Sequence, residues 1–188
     1  SEQLRIVDTT GKTLSAASVA RDRLINSSSK LRRFRQAVLA AAFGGRLTRA
    51  GREGNDEGAG SWRETAENGW TRQPLGSFIE SMANGIYKPD RFYSPSGVPC
   101  LRMYNIRDGQ LSLHNLKRME LTRAEVQTYE LLPGDILVNR VNSRELVGKA
   151  ALVANLSERT VFESKNIRLR LAGGSLEPRF VNYFLLSE

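Results

Sequence analysis

The sequence predicts a mixed α/β (α+β) domain of short strands and helices, preceded by a long helix of the coiled-coil-forming kind. Three observations predict it. Apolar or small side chains recur at heptad spacing through the first 43 residues, a glycine-containing polar stretch follows, and short alternating apolar runs separated by turn residues fill the remainder. The chain has 188 residues, of which 40% are hydrophobic, and it is long enough for one globular core with an appendage.

The long helix is expected over residues 1–43, and the two glycines at 44 and 45 are expected to end it. A heptad stripe is typical of a helix that packs along another helix. Because one helix cannot bury such a stripe by itself, its partner must come from another segment or another chain. The stripe consists of Ala17, Leu24, Leu31 and Val38.

The domain boundary is expected in a linker over residues 44–68, which is polar and contains several glycines. These glycines follow no strand, so they indicate a spacer rather than a phosphate-binding loop. The second domain is therefore expected over residues 69–188.

Within the second domain, a capping box at Thr122 and Glu125 predicts a short helix. Pro178 fits the first turn of a closing helix, and the Pro-Gly-Asp run at 133–135 predicts a turn. Alternating or continuous apolar residues predict strands within 98–106, 136–141, 147–154 and 167–171.

The composition limits the classes of function. The chain carries 28 Lys and Arg against 20 Asp and Glu, a formal net charge of +8, which favours a polyanionic partner. Its single cysteine, Cys100, excludes an internal disulfide, and its single histidine, His114, leaves no His/Cys zinc site. No apolar run is long enough to span a membrane and no signal peptide is evident, so the cytoplasm is the expected location.

One enzymatic pattern remains open. Asp135 is followed by Glu163 and Lys165, in the Asp…Glu-x-Lys order of a metal-dependent nuclease. Two carboxylates can bind Mg²⁺ and a lysine can assist the attacking water. The pattern is short, and an aspartate after Pro-Gly is also expected in an ordinary turn.

Polar runs in the second domain favour DNA binding. The segment 139–144 (Asn-Arg-Val-Asn-Ser-Arg) separates two expected strands, and Arg and Asn are the side chains that bridge the base-edge atoms of guanine and adenine. Similar residues occur at Tyr87-Lys88, at 104–107 and at Lys165-Asn166. Arg168 and Arg170 are expected on the polar face of their strand. Together these runs predict a DNA-contacting face.

The basic tract 30–35 (Lys-Leu-Arg-Arg-Phe-Arg) is either a solvated helix face or a contact to a partner subunit or the DNA backbone. The partner-contacting residues are predicted to be Leu24, Leu31, Arg32, Arg33, Phe34, Arg35 and Val38.

The segment 31–48, with its Arg-rich turn, Ala-rich end and Phe-Gly-Gly-Arg-Leu-Thr, closely resembles the end of the conserved spacer helix of type I restriction–modification specificity subunits. Further segments resemble landmarks of the target recognition domain of that family: Gly69-Trp70 with Pro74 to Gly76, 98–106, 132–137, 147–149 and 183–187. The resemblance covers nearly the whole chain.

The resemblance implies one spacer helix and one target recognition domain that reads half of a bipartite DNA site, without catalysis. The implied partners are double-stranded DNA, methyltransferase subunits and motor–nuclease subunits. The other half of the subunit, or a second copy, would pair through the coiled coil. No cofactor or metal is expected on this chain; S-adenosylmethionine, Mg²⁺ and ATP are expected on the partner subunits only.

The resemblance and the polar runs together predict a DNA-contacting face. Two alternatives remain open: the nuclease described above, and a coiled-coil scaffold that does not bind DNA. The predicted DNA-contacting residues are Lys88, Tyr104, Asn105, Arg107, Asn139, Arg140, Asn142, Ser143, Arg144, Lys149 and Lys165.

Overall fold

The computed structural model describes residues 1–44, 46–47, 65–66, 70–71, 73–141, 143 and 147–187. Among these residues, no helix is both long and apolar enough to cross a lipid bilayer. The predicted linker at 44–68 lies largely outside the described residues, so the domain division stays a prediction.

The helices are α1 (Glu2–Phe43), α2 (Arg123–Tyr129) and α3 (Pro178–Leu185). The strands are β1 (Thr65–Ala66), β2 (Trp70–Thr71), β3 (Ile79–Asn84), β4 (Tyr93–Leu101), β5 (Ile106–Arg107), β6 (Gln110–Leu111), β7 (Lys117–Met119), β8 (Ile136–Asn139), β9 (Ala150–Leu152), β10 (Val161–Phe162) and β11 (Asn166–Leu171).

Helix α1 confirms the predicted long helix and has no buried residue along its length. It ends where expected: Gly44 N–H still donates to Ala40 O, and Arg46 N–H then donates to Ala41 O over 3.0 Å. This second bond, which spans five residues, is the hydrogen bond that characterises a Schellman helix end. The apolar stripe of α1 therefore stays exposed along a helix of 42 residues.

Two sheets form the body of the second domain. One has the strand order β3-β11-β8-β9, and all of its neighbours are antiparallel. The other has the order β10-β4-β7, and β10 runs parallel to β4. Buried apolar residues such as Leu101, Leu137 and Phe162 form a core that joins strands of both sheets.

The two short helices form as their sequence signals predict. Thr122 Oγ1 accepts from Glu125 N, and the Glu125 carboxylate accepts from Thr122 N, so both halves of the capping box are present at α2. Pro178 is in the first turn of α3. Helix α3 packs on the four-stranded sheet, and Phe43 at the end of α1 contacts its Phe180 and Phe184 rings at centroid distances of 5.3 and 5.5 Å.

Three expectations about the strands need correction. The strand expected at 98–106 begins earlier, at Tyr93, and stops at Leu101, because Asn105 caps the Arg102 backbone and starts a 3-10 turn. The runs expected at 136–141 and 147–154 shorten to β8 and β9. Arg168 is not on a solvated face, because it is buried against the Glu130 carbonyl and the Phe162 ring.

Candidate nucleic-acid interface

Four chain segments meet at one end of the two sheets. They follow β3, β4, β8 and β10, and we call them together the strand-end surface: residues 85–88, 101–105, 139–141 and 163–166. Backbone hydrogen bonds of 2.9–3.0 Å join them: Ile86 N to Phe162 O, Ser164 N to Ile86 O, Glu163 N to Leu101 O, and Arg140 N to Lys165 O. The backbone under this surface is therefore fixed from every side.

Two tyrosines project from this fixed backbone. The Tyr87 side chain is 76% exposed and the Tyr104 side chain is 62% exposed. Tyr87 follows Ile86, whose N–H and C=O are both bonded to the β10–β11 turn, and Tyr104 lies in the 3-10 turn after β4. Aromatic rings held on a rigid backbone yet open to solvent suit contacts with a ligand, including stacking on nucleobases.

Cationic side chains lie on the same surface as the tyrosines. It carries four of them, of which Lys88 is paired with Glu125, and one carboxylate, Glu163. Arg102 lies over the Tyr104 ring at 5.5 Å, and its Nε donates to Glu163 Oε2 over 2.8 Å. Arg140 Nε donates to Ser164 O over 2.8 Å, which fixes the guanidinium through one of its five N–H donors. The exposed residue Lys165 adds a further cation beside them.

Some predicted contact residues belong to this surface and remain candidates. Tyr104, Arg140 and Lys165 are exposed and come together there. Lys149 is half-buried. It lies beside this surface, since its carbonyl accepts a hydrogen bond from Asn139 N. Ser143 is exposed just beyond it. Asn142 and Arg144 lie outside the described residues.

Other predicted contact residues do not face outward. Lys88 binds Glu125 over 2.5 Å and lies over the Phe92 ring, so it ties its loop to α2. Asn105 and Asn139 are buried, and their side-chain amides donate to backbone carbonyls. A buried amide that already serves the backbone is not placed to meet a base edge. These three residues are better described as supports of the surface.

Arg107 is exposed but belongs to the β5–β6 hairpin, away from the strand ends. The turn of this hairpin packs against α1 and α3: a Cβ atom at Gly109 would lie 2.2 Å from Leu186 and 3.2 Å from Arg35 Nη2. Asn182 Nδ2 also donates to Gly109 O. Arg107 is therefore separated from the other candidates by the position of its hairpin.

Arg102 was not among the predicted contact residues, and Tyr87 was named only as part of the run Tyr87-Lys88, from which Lys88 was chosen. The sequence runs Tyr87-Lys88, and adjacent residues of an extended chain point to opposite sides. Pattern alone selected the lysine, whereas the structure turns Lys88 inward and Tyr87 outward. Arg102 was not selected because the strand was expected to continue through it, whereas the strand ends at Leu101.

The geometry does not favour a metal-dependent nuclease. The Asp135 carboxylate is buried and accepts from Arg170 Nε and Nη2 over 2.7 and 2.8 Å. Glu163 is paired with Arg102. The two carboxylates therefore neutralise different arginines instead of converging on one ion. Within the described part of the chain, no group of three or more His, Cys, Asp or Glu residues is placed to bind a metal.

The predicted partner-contacting residues on α1 are all accessible. Leu24, Leu31 and Phe34 are strongly exposed. Val38, nearer the end of the helix that contacts α3, is less exposed, at 40%. Exposed apolar side chains in a row along a helix are unusual for a helix that acts alone. The residues that accompany them on the exposed helix are Arg32, Arg33 and Arg35.

Cys100 and His114 are far apart in burial and have ordinary structural surroundings. Cys100 is fully buried, and burial raises the pKa of its thiol to about 12, with a smaller contribution from Glu163. A thiol of this kind is an inert packing group. His114 is exposed in a turn.

Comparison with known proteins finds three related sequences and several matching solved structures, two of which are given below. The chain is 32% identical over 183 residues to the type I restriction enzyme StySPI specificity subunit of Salmonella potsdam, which covers 97% of this chain and 37% of that protein. It is 31% identical over 162 residues to the EcoKI specificity subunit of Escherichia coli K12, covering 84% of this chain and 32% of that protein. No family model matches the chain.

A third relative is the putative type I restriction enzyme MjaX specificity subunit of Methanocaldococcus jannaschii, at 26% identity over 117 residues, 62% of this chain and 27% of that protein. The chain thus spans about a third of the length of these relatives. The HsdS subunit from Thermoanaerobacter tengcongensis gives a TM-score of 0.46 at 18% identity, over 87% of this chain and 38% of that one. A structure described for complex assembly and conformational transition of the type I R-M system gives 0.47 at 18% identity, over 93% of this chain and 40% of that one.

Proposed function

The chain belongs to the type I restriction enzyme specificity subunits, and from that premise we propose that it reads one half of a bipartite duplex DNA site through its strand-end surface. The observation that carries the proposal is the pairing of two exposed, rigidly mounted tyrosines with cationic side chains at one end of the sheets. Cations attract the phosphates of any duplex, whereas hydrogen bonds and apolar contacts to base edges discriminate between bases.

The roles within the surface follow from the mounting of each side chain. Lys165 has a flexible stem and suits a phosphate. Arg140 is fixed at Nε, and its two terminal nitrogens carry four further N–H groups that suit the paired acceptors of guanine. Tyr87 and Tyr104 suit apolar or stacking contacts to bases. A bidentate contact of the kind that Arg140 could make contributes roughly 1–3 kcal/mol to discrimination.

In this proposal the chain directs catalysis and does not perform it. Methylation and cleavage would be carried out by methyltransferase and motor–nuclease subunits, which would also hold S-adenosylmethionine, Mg²⁺ and ATP. The support from this chain is the separation of Asp135 and Glu163 into two ion pairs. The cytoplasm, where such an assembly meets DNA, is the proposed location.

Helix α1 would supply the protein contacts. Its exposed apolar stripe would pack against a helix from the other half of the subunit or from a second copy. Its basic tract would contact a methyltransferase subunit. The same stripe favours a second candidate function, a scaffold that pairs subunits without touching DNA. The two candidates differ in whether the recognition domain binds a specific duplex.

The test is selection of a randomised duplex pool by the purified chain, with and without methyltransferase subunits, followed by sequencing. We expect enrichment of a short half-site that becomes stronger with the partner. Binding that is uniform across the pool and vanishes with moderate salt would leave only general attraction to phosphates and would support the scaffold.

A further inference from the structure

Two buried asparagines lie beneath the strand-end surface. Asn139 on β8 and Asn166 on β11 are direct cross-strand neighbours, with exposed fractions of 1% and 0%. The backbone N–H and C=O of Asn139 bond to Lys149 O and Gly148 N, on the side away from β11. The two asparagines are therefore a non-hydrogen-bonded pair, the kind whose side chains lie closest together.

Both side chains donate to the same short stretch of backbone. Asn166 Nδ2 donates to Leu101 O over 3.4 Å, and Asn139 Nδ2 donates to Met103 O over 3.5 Å. These two carbonyls flank Arg102, and that of Met103 directly precedes Tyr104. The pair thus holds, from below, the segment that carries the partly exposed Arg102 and the exposed Tyr104.

The arrangement is costly for the fold. The Oδ1 atoms of Asn139 and Asn166 are buried, and neither has a hydrogen-bond partner among the described residues. Burying an unpaired acceptor opposes folding, whereas an apolar side chain of similar size fills the same space without that penalty. Stability alone would therefore favour leucine at both positions.

We propose that Asn139 and Asn166 act together as positioning residues that set the orientation of Arg102 and Tyr104 for base discrimination. This inference rests on the proposed function and adds a role for residues that never touch DNA. Because the amides hold carbonyls rather than side chains, their loss lets residues 102–104 shift, while the backbone bond from Glu163 N still holds Leu101 O and the sheets below remain intact. Discrimination between duplexes falls first, and general attraction to phosphates persists.

The chain offers a matched control in Asn182. It is also buried, its Nδ2 donates to a backbone carbonyl, that of Gly109, over 3.2 Å, and its Oδ1 likewise lacks a partner among the described residues. It lies on α3, which packs on the four-stranded sheet away from the strand-end surface. Asn182→Leu makes the same chemical change without touching the proposed function.

The first experiment needs no DNA. The three methionines of the chain give three methyl signals in ¹³C-methyl NMR: Met103 in the held segment, Met82 exposed on β3 and Met119 buried on β7. In the full chain carrying Asn139→Leu and Asn166→Leu, we expect the Met103 signal to broaden or shift while Met82 and Met119 keep theirs. The melting temperature should stay within about 4 °C of the parent. Asn182→Leu should leave Met103 unchanged.

The second experiment measures discrimination, as the ratio of affinities for the pool-selected duplex and a scrambled duplex. The double variant should lose at least about tenfold of this ratio, as expected for one lost base contact, with scrambled-duplex affinity unchanged. Asn182→Leu should keep the ratio. If the double variant does not fold, each single variant is read in the same way.

An unchanged Met103 signal in the folded variants overturns the inference whether or not DNA binds. So does an unchanged affinity ratio, because a merely structural pair would alter the melting temperature alone. A parent chain that shows no preference among duplexes is a different result: it refutes the proposed function, while the Met103 signal still reports whether the pair holds the segment.

Discussion

Arg102 Nε donates to Glu163 Oε2 over 2.8 Å, and this ion pair occupies the carboxylate that a nuclease on this chain would need. We therefore expect no cleavage when the purified chain is incubated with supercoiled plasmid and Mg²⁺. Nicking should be followed on agarose gels over hours, with a commercial endonuclease as the positive control. Cleavage that Glu163→Gln abolishes would establish the nuclease alternative.

The second carboxylate of that alternative has a structural task. Asp135 is buried, receives two hydrogen bonds from Arg170, and accepts from Leu132 N in the turn before β8. Asp135→Asn leaves the arginine without its counter-charge, and breaking a buried pair from one side costs about 3–5 kcal/mol. We expect a loss of about 3 kcal/mol in urea unfolding, reduced because Arg170 is partly exposed.

The control for Asp135→Asn is Glu158→Gln, which breaks the exposed bidentate pair with Arg118. Surface pairs contribute about 0–1 kcal/mol, so this variant should unfold close to the parent. Equal losses for the two variants would contradict the structural role assigned to Asp135.

Acid should destabilise the domain through three carboxylates on its surface. Hydrogen bonds from Lys88, Arg159 and Arg118 hold the pKa values of Glu125, Glu130 and Glu158 below their usual range. A lowered folded pKa contributes stability that is present above the unfolded value, about 4.3, and is lost as the pH falls through the folded value.

Urea midpoints should therefore be nearly constant from pH 7 to 5 and fall below about pH 4.3. Replacing Glu130 with Gln should make this fall shallower, because one of the three titrating groups is removed. A midpoint that rises on acidification would mean that these ion pairs do not form in solution.

The buried Cys100 provides a probe of the core. Burial raises the pKa of its thiol to about 12, so almost no thiolate exists at pH 8, and the sulfur is also shielded from reagents. A colorimetric thiol reagent at pH 8 should label no cysteine in the native chain and one per chain in guanidinium. Cys100→Ala should abolish the denatured signal, and full labelling of the native chain would contradict the packing of β4.

Much of the fold could be predicted where a local signal decides the structure. The heptad stripe predicted α1, and the capping box and the proline at 178 predicted α2 and α3, because these signals act within a few residues of the chain. One local signal was overlooked. Asp108-Gly109, both with positive φ, is the two-residue turn of the β5–β6 hairpin, and Asp-Gly is a strong hairpin sequence.

The site was harder to predict, because it depends on which of two neighbours turns outward. Tyr87 and Lys88 are adjacent in the chain, and only one of the two side chains can point outward. Lys88 points inward because it pairs with Glu125, which lies 37 residues further along the chain (125 − 88). From the sequence alone, Asn139 resembles a base-reading residue. In the structure it lies opposite Asn166, and both side chains donate to backbone carbonyls above them instead of pointing to solvent. Polar composition predicted residues at this end of the domain, but only long-range packing separates the exposed side chains from the buried ones.

The strand-end surface is tested most directly by a matched pair of arginine variants. Arg140 follows β8, whereas Arg179, which is also exposed, lies on α3 beside the turn that precedes β8. At that turn, a Cβ on Gly134 would lie 3.7 Å from Pro178. Both replacements with Ala remove one charge, so general attraction to DNA should weaken equally.

The decisive measurement is the affinity of each variant for the pool-selected half-site, by fluorescence anisotropy at fixed salt. We predict that Arg140→Ala weakens binding by about tenfold or more, the loss of one good base contact, and relaxes the preference over a scrambled duplex. Arg179→Ala should change the affinity by about twofold or less and keep the preference. Equal, small effects of the two variants would contradict DNA reading by the strand-end surface.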